Sequence, residues 1–238
     1  IRNFDKVPNL AHHPKMNHLH SLTEFGMPRN RKLLIFAFDR RNQFEESCRK
    51  INLPQQRILR FKELVHQVFQ SASKKIKQND LAILIDQKYG RKILNDSSDF
   101  NYAIGVSVED EGVFPLKWLC EGSLYQYLLE RPSKWFVKVL FRFHTDMNLD
   151  DKNFQLKQLR KLSDVCIALK RKLMVELIIQ KDLAQEDVST GKEEELAEVI
   201  DEVYKKDIYP YWWGINALEI EEKWEKIKDS MNKNDPDV

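Results

Sequence analysis

Four apolar segments of this chain each carry one charged side chain that could take part in chemistry. Asp39 lies near the end of KLLIFAFDRR, and Asp86 lies in LAILIDQKYG. Lys138 interrupts WFVKVLFRFH, and Glu176 interrupts LMVELIIQKD. Burying an unpaired charge costs roughly several kcal/mol, so each of these residues needs a partner. A buried lysine near two carboxylates is also an arrangement that tunes pKa values for acid–base or Schiff-base chemistry.

A structural explanation is open for each of these charges as well. Asp39 and Asp86 can be solvated residues at strand ends, whereas Lys138 and Glu176 can form a simple buried ion pair. Their occurrence on separate apolar segments favours function for the group of four. We therefore expect the four charges to satisfy each other at the centre of the molecule.

The segments that must position these charges alternate with amphipathic helices. Strands are predicted near 33–39, 81–86, 102–108, 136–143, 173–179 and 209–215. A helix over 55–75 is indicated by apolar residues at helical spacing: Ile58, Phe61, Leu64, Val65 and Val68. Another helix over 189–206 has a predicted buried stripe: Leu196, Val199, Ile200, Val203 and Tyr204. This alternation is typical of βαβ units with a parallel sheet.

Two architectures fit this alternation, an open doubly wound sheet and a (β/α)8 barrel. A doubly wound sheet that binds dinucleotides needs a glycine-rich turn after a strand. The chain has seven glycines and no GxGxxG pattern, and the lack of GxxxxGK[ST] excludes a P-loop. Barrel enzymes place catalysis at the C-terminal ends of their strands, where these charges would lie.

The composition excludes several classes of partner. Hydrophobic residues make up 42% of the chain and charged residues 32%, and the net charge of +2 predicts no nucleic-acid binding. No apolar run reaches the roughly 18 residues of a membrane helix, so no membrane partner is expected. Three distant cysteines, Cys48, Cys120 and Cys166, favour a reducing cytoplasmic location.

The first 30 residues are predicted to be a linker or N-terminal arm, followed by a partial barrel over 31–238. They contain four of the six histidines: His12, His13, His18 and His20. The tract HHPKMNHLH matches no standard zinc spacing and has no cysteine nearby. We therefore expect no metal.

At the charged strands the sequence resembles a known family. IFAFDRRNQFEE, LIDQKYG, VKVLFRFH, MVELI and IYPYWW are similar, in this order, to the aldolase domain of bacterial inositol catabolism. That domain is commonly fused behind a sugar kinase, in the bifunctional 5-dehydro-2-deoxygluconokinase/phosphogluconate aldolase, and is related to tagatose-bisphosphate class I aldolases. MNHLHSLT resembles the segment that joins the two domains, so a covalently linked upstream kinase domain is a candidate partner.

The resemblance implies a TIM barrel that cleaves a phosphorylated keto-sugar acid, 2-deoxy-5-keto-gluconate 6-phosphate. Its products would be dihydroxyacetone phosphate and malonate semialdehyde. In class I chemistry a lysine attacks the ketone, and the iminium accepts the electrons of the breaking carbon–carbon bond without a metal or another cofactor.

Carried over by motif, the resemblance makes Asp39 and Glu176 the acid–base carboxylates, with Lys138 beside them. The residues implied to bind substrate are Arg41, Gln43, Asp86, Tyr89, Gly90 and His144.

The chain departs from the family at the sixth strand. The family typically reads IYPDWWK, whereas this chain reads IYPYWWG, so Tyr211 replaces the usual aspartate and Gly214 the presumed Schiff-base lysine. The resemblance thus implies a lyase that is impaired. The alternative is a non-catalytic remnant that serves as a folded or assembly domain. A metal-dependent sugar-phosphate enzyme on the same fold is a third possibility, but no clear His/carboxylate ligand set supports it.

The length of the chain also departs from the family, which continues with two more strands after NKNDPDV. Eight units of roughly 35 residues would need about 280 residues, whereas about six fit here. We therefore expect a truncated barrel whose open edges lead to self-association.

Overall fold

The computed structural model of the protein describes residues 33–76, 81–179, 193–216 and 222–235. The predicted N-terminal arm, with its four histidines, lies outside the described residues. The six strands are β1 (Leu34–Phe38), β2 (Leu81–Ile85), β3 (Ala103–Ser107), β4 (Phe136–Arg142), β5 (Leu173–Ile178) and β6 (Trp212–Gly214). The helices of the described ranges are α1 (Asn42–Lys50), α2 (Gln56–Ser73), α3 (Arg91–Asn95), α4 (Leu124–Leu129), α5 (Leu149–Ala168), α6 (Glu193–Tyr204) and α7 (Glu222–Asn234).

The six strands form one parallel sheet in which each strand pairs with its neighbours in sequence, from β1 to β6. The sheet is curled into a half-barrel, which is consistent with a truncated TIM-barrel-like fold. A doubly wound sheet would reverse its strand order at a switch point, and this sheet does not. The six predicted strands are therefore confirmed, and the barrel-like alternative is the one observed.

The outer face of the sheet is covered by helices through two apolar clusters. The larger cluster joins β4 and β5 to α5, α6 and α7, and the smaller one joins β1, β2 and β3 to α2 and α3. The predicted stripe of α6 is confirmed, because all five of its residues are buried in the larger cluster: Leu196, Val199, Ile200, Val203 and Tyr204.

Helix α2 is confirmed as a helix, but much of its apolar side is not buried. Phe61 and Leu64 are each 45% exposed and Val68 is 68% exposed, whereas Lys62 and His66 are buried. The neighbouring strand β1 is also open, since Leu34 is 58% exposed. This edge of the half-barrel therefore carries apolar surface that no described element covers.

The inner face of the sheet changes from apolar to polar along the strands. Its lower part is an apolar cluster of Ala82, Leu84 and Phe136, with Met174 and Trp212 packed against it. Above it, towards the carboxyl ends, Ser107 pairs in register with Lys138. One pleat further along, Glu176 pairs with Leu140 on one side and with Gly214 on the other. The strands thus direct their polar residues to one end of the half-barrel.

Candidate active site

A buried lysine surrounded by carboxylates forms the centre of the site. Lys138 Nζ lies 2.9 Å from Asp39 Oδ2, 2.5 Å from Glu176 Oε2 and 3.9 Å from Glu109 Oε1. Ser107 Oγ donates to Asp39 Oδ2 over 2.5 Å. The side chains of Lys138 and Asp39 are almost fully buried, whereas that of Glu176 is 24% exposed. The structure thus brings together three of the four charges singled out in the sequence.

The protonation states of Lys138 and its carboxylates are set by their burial and by the charges they exert on one another. Burial alone would lower the pKa of Lys138, but Glu109, Asp39 and Glu176 raise it above its ordinary value. Burial opposes the ionisation of Asp39, yet Lys138 and the hydrogen bond from Ser107 hold the pKa of Asp39 below its ordinary value. Lys138 is therefore a cation at neutral pH, and Asp39 is its ionised partner.

Glu109 is the member of the cluster that the sequence reasoning missed. Burial raises the pKa of Glu109 above its ordinary value; Lys138 offsets this in part, and Asp39 adds to it. Its Oε2 atom is buried and has no hydrogen-bond partner in the part of the chain that the structure describes. The signal was present in GVSVED, because Gly105, Ser107 and Glu109 alternate with apolar residues and so share the inner face.

Two arginines, Arg40 and Arg41, and a third glutamate, Glu111, form the rim of the site. Arg40 Nη2 lies 3.2 Å from Glu176 Oε1. Arg41 donates to the Glu109 carbonyl over 2.8 Å, and its backbone N–H donates to Glu111 Oε2 over 2.7 Å. Arg41, one of the predicted substrate-binding residues, therefore connects the end of β1 to the segment after β3.

Asp86, the fourth charge, has a different partner. It forms an ion pair with Lys62 of α2, and both side chains are fully buried. Lys62 Nζ also donates to the carbonyls of Phe38 over 2.8 Å and of Arg40 over 3.0 Å. Asp86 Oδ1 accepts from the Tyr89 N–H over 2.7 Å. This pair attaches α2 to the ends of β1 and β2. The expectation that Asp86 would join the other three charges is therefore wrong, because its partner is Lys62 and not Lys138.

The other predicted substrate-binding residues lie around the mouth of the half-barrel, and their roles stay predictions. Gln43 is exposed on α1. The Tyr89 hydroxyl donates to Glu45 Oε1 over 2.7 Å. A Cβ at Gly90 would collide with Ile85 and with the Asp86 carbonyl. His144 follows β4 and is half-buried, and its Nδ1 atom has no partner among the described residues.

The aromatic segment before Gly214 is part of the core. Trp212 belongs to the inner apolar cluster and makes an edge contact with Phe136, with ring centroids 5.2 Å apart. Trp213 faces the helices, and its Nε1 donates to the Tyr204 hydroxyl over 3.0 Å. Gly214 lies beside Glu176 in the sheet. The position that carries lysine in the resembled family is therefore next to the cluster and has no side chain.

The cluster can stabilise negative charge and move protons. Lys138 supplies a fixed positive charge in a buried site, which is where such a charge stabilises an oxyanion most. Glu176 is the carboxylate best exposed to a substrate, and Glu109 is one that favours holding a proton. Imine formation at Lys138 is disfavoured, because a nucleophilic amine has to be neutral.

Metal clusters and membrane-spanning helices are both absent from the residues that the structure describes. In these ranges, no three His, Cys, Asp or Glu side chains are grouped so that they could hold a metal ion. None of the helices in the same ranges combines the length and the apolar composition needed to cross a membrane.

Comparison with known proteins gives the family of the chain. No curated protein matches the sequence. A family model described as an uncharacterized protein conserved in bacteria (DUF2090) matches residues 1–238. The half-barrel with its buried Lys138 cluster therefore belongs to the DUF2090 family.

Proposed function

We propose that this chain is an aldolase-type carbon–carbon lyase domain whose imine-forming step is impaired. The observation that carries the proposal is the contact of Lys138, within β4, with Glu176 of β5 and with Asp39, which directly follows the carboxyl end of β1. Barrel enzymes place catalysis at this end of the sheet. The proposed substrate is 2-deoxy-5-keto-gluconate 6-phosphate, as the sequence resemblance implies.

The cluster offers a role for each group in such a cleavage. Glu176 would accept the proton of the substrate hydroxyl, and the electrons of the breaking carbon–carbon bond would move to the ketone. Lys138 would stabilise the resulting enolate oxygen. Glu109 would return a proton to the enolate carbon, which completes dihydroxyacetone phosphate, while the other product is malonate semialdehyde.

The impairment follows from two observations. Gly214 lies next to Glu176 and cannot form an imine, and the surrounding carboxylates hold Lys138 in its charged form. Without an iminium, the electrons of the breaking carbon–carbon bond have to be accepted by the ketone, which is a weaker electron sink. Displacing a reacting atom by about 1 Å can cost roughly a hundredfold in rate, so a lysine on β4 replaces one on β6 poorly.

The alternative is a non-catalytic domain that acts through its fold or through assembly. Gly214 favours this alternative, as does the engagement of Lys138 Nζ by the carboxylates of Asp39 and Glu176. A covalently linked kinase domain and a cytoplasmic location are compatible with both functions and are proposed with them.

The test combines borohydride trapping with an assay for dihydroxyacetone phosphate release. The wild-type chain should cleave the substrate at least roughly a hundredfold more slowly than Gly214→Lys. A Cβ at position 214 would lie 3.0 Å from Met174 Cε, so Gly214→Lys should be made alone and together with Met174→Ala.

Three outcomes separate the proposals. Rescue by Gly214→Lys supports an impaired lyase. Inactivity of all variants, each folded as judged by circular dichroism, supports the non-catalytic alternative. Efficient trapping by the wild-type chain that is abolished in Lys138→Ala would show that Lys138 forms the imine and that the domain is not impaired.

A further inference from the structure

One cation at the mouth of the half-barrel, Arg142, has no partner among the residues that the structure describes. Arg142 ends β4 and is half-buried, with its side chain on the same face as Lys138 by strand alternation. In the described part of the chain its guanidinium makes no hydrogen bond or ion pair, and its Nε atom is buried. A buried guanidinium N–H without an acceptor is costly, and the remaining N–H groups of this half-buried side chain are open at the mouth, so the position is suited to an anionic ligand.

The other cations around the site are already engaged. Lys138 contacts Asp39 and Glu176, and Arg40 pairs with Glu176. Arg41 is bound to the Glu109 carbonyl and to Glu111. Arg142 is therefore the cation of this group that remains available for a substrate.

The electrostatic surroundings of Arg142 are consistent with this role. Burial lowers the pKa of Arg142, and the nearby Arg40 lowers it further, whereas Glu111, Glu109 and Glu176 act in the opposite direction. None of these carboxylates lies within ion-pair distance of Arg142 in the described structure. A ligand anion would therefore supply the direct contact that the protein does not.

The register gives the distance from this cation to the reacting groups. Arg142 pairs with Ile178, two residues beyond the level at which Leu140 pairs with Glu176. Two residues of a parallel strand span about 6.6 Å. Lys138 Nζ contacts Glu176, so the backbone of Arg142 stands one pleat beyond the level that the lysine ammonium reaches, a spacing that a short carbon chain can bridge.

We propose that Arg142 binds an anionic group, a carboxylate or a phosphate, at one end of an oxo substrate whose other part reaches Lys138. The inference rests on the proposed function for the identity of the substrate, but the binding of the anion does not depend on cleavage. His144, two residues further along, is a second side chain at this mouth whose Nδ1 atom has no partner within the described ranges of the chain.

The experiment measures anion binding to the full chain by isothermal titration calorimetry, with inorganic phosphate and malonate as separate probes. The wild-type chain should bind at least one of them, and Arg142→Gln should weaken that binding at least tenfold. Arg142→Lys should retain phosphate better than malonate, because it keeps the charge and loses the planar fork. Arg57→Gln, which removes the same charge from an exposed position of α2, should leave binding unchanged.

The outcomes distinguish this inference from the proposed function. Wild-type chain that binds neither probe at millimolar concentration, or Arg142→Gln that binds as tightly as wild type, would overturn the anion site. Malonate or phosphate binding that depends on Arg142 supports it, even in a chain that cleaves no keto-sugar acid. If Arg142→Gln does not fold, a loss of binding in folded Arg142→Lys supports the site, and unchanged affinity for both probes overturns it.

Discussion

Lys138 is the cation shared by three carboxylates inside the half-barrel. Its ammonium is shared by carboxylates that arrive from the ends of β1 and β3 and from the middle of β5. Each of these acids is buried or partly buried, so the lysine compensates for charges that the protein could not otherwise accommodate.

Removing this cation should destabilise the whole domain. Lys138→Met leaves Asp39 and Glu176 without their shared partner, and breaking a buried pair in this way costs about 3–5 kcal/mol. The free energy of unfolding in urea measures the loss. The control is Lys75→Met at an exposed position, which should change it by about 0.5 kcal/mol or less. A loss below about 1 kcal/mol for Lys138→Met would mean that the carboxylates are hydrated or protonated instead.

Glu109 should make the stability of the protein depend on pH. Because its pKa is raised in the folded state, the native protein keeps a proton that the unfolded chain releases above about the ordinary value of 4.5. The free energy of unfolding contributed by this group is therefore full below pH 4.5 and falls as the pH rises through the folded pKa. Glu109→Gln has no proton to hold and should remove this decline.

Urea unfolding at stepped pH, from pH 4.5 to neutral, tests this expectation. The difference in stability between Glu109→Gln and wild type should grow in favour of the variant across this window. A constant difference would show that Glu109 ionises with its ordinary pKa.

At the scale of elements, the ion pair between α2 and β2 is the clearest contact for a quantitative test. Lys62 and Asp86 are fully buried, and Lys62 also binds two carbonyls at the end of β1. In a double-mutant cycle with Lys62→Met and Asp86→Asn, the coupling energy should be about 1–3 kcal/mol.

The exposed pair Lys50–Glu46 on α1 provides the matched control for this cycle. Its side chains are 65% and 46% exposed, so the coupling between Lys50→Met and Glu46→Gln should be much weaker than that between Lys62→Met and Asp86→Asn. Equal coupling energies in the two cycles would mean that the Lys62–Asp86 pair is open to water.

The elements also show what the sequence could and could not predict. The six strands were predictable because continuous apolar runs between helices leave few alternatives, and the meeting of Asp39, Lys138 and Glu176 followed from their places on those strands. Lys62 could not be found in this way, because a lysine within a helical pattern normally extends into solvent. Glu109 was missed because it lies two residues beyond the end of β3, where a charged residue normally extends into solvent, although the alternation with Val106 and Val108 continues to it.

The exposed side of α2 was not predictable for a related reason. Its apolar residues have helical spacing, which predicts a helix and an apolar face but not what covers that face. In the structure, Ile58 is buried while Phe61 and Val68 are exposed, because no described element packs against the outer side of this edge.

At the scale of the whole molecule, this apolar edge should make residues 1–238 self-associate. Leu34 and Phe36 of β1 are exposed beside α2. Burying one such side chain is worth about 1.5–3 kcal/mol, so replacing Phe61, Leu64 and Val68 by Gln should weaken association by roughly tenfold or more. Sedimentation velocity over a range of concentrations measures the association, and a hydrophobic dye reports the exposed surface.

The control replaces exposed apolar residues elsewhere. Leu149→Gln with Phe154→Gln changes α5, where these residues are 71% and 42% exposed, and should leave association unchanged. A wild-type chain that is a monomer, binds no dye and melts sharply would contradict the expectation.

The order of the strands has a consequence for synthesis on the ribosome. Each strand pairs with the one made just before it, so the sheet can grow in the direction of translation. The ion pair between Asp39 and Lys138 forms later than the first strand pairs. The two residues are 99 positions apart, which corresponds to roughly 5–20 s of elongation. During this interval Asp39 has to stay hydrated, even after β1 has paired with β2. Water should therefore leave the interior of the nascent chain only after β4, which carries Lys138, has been synthesised and has joined the sheet. The residue at the centre of the site thus also determines when the inner face of the half-barrel is dehydrated.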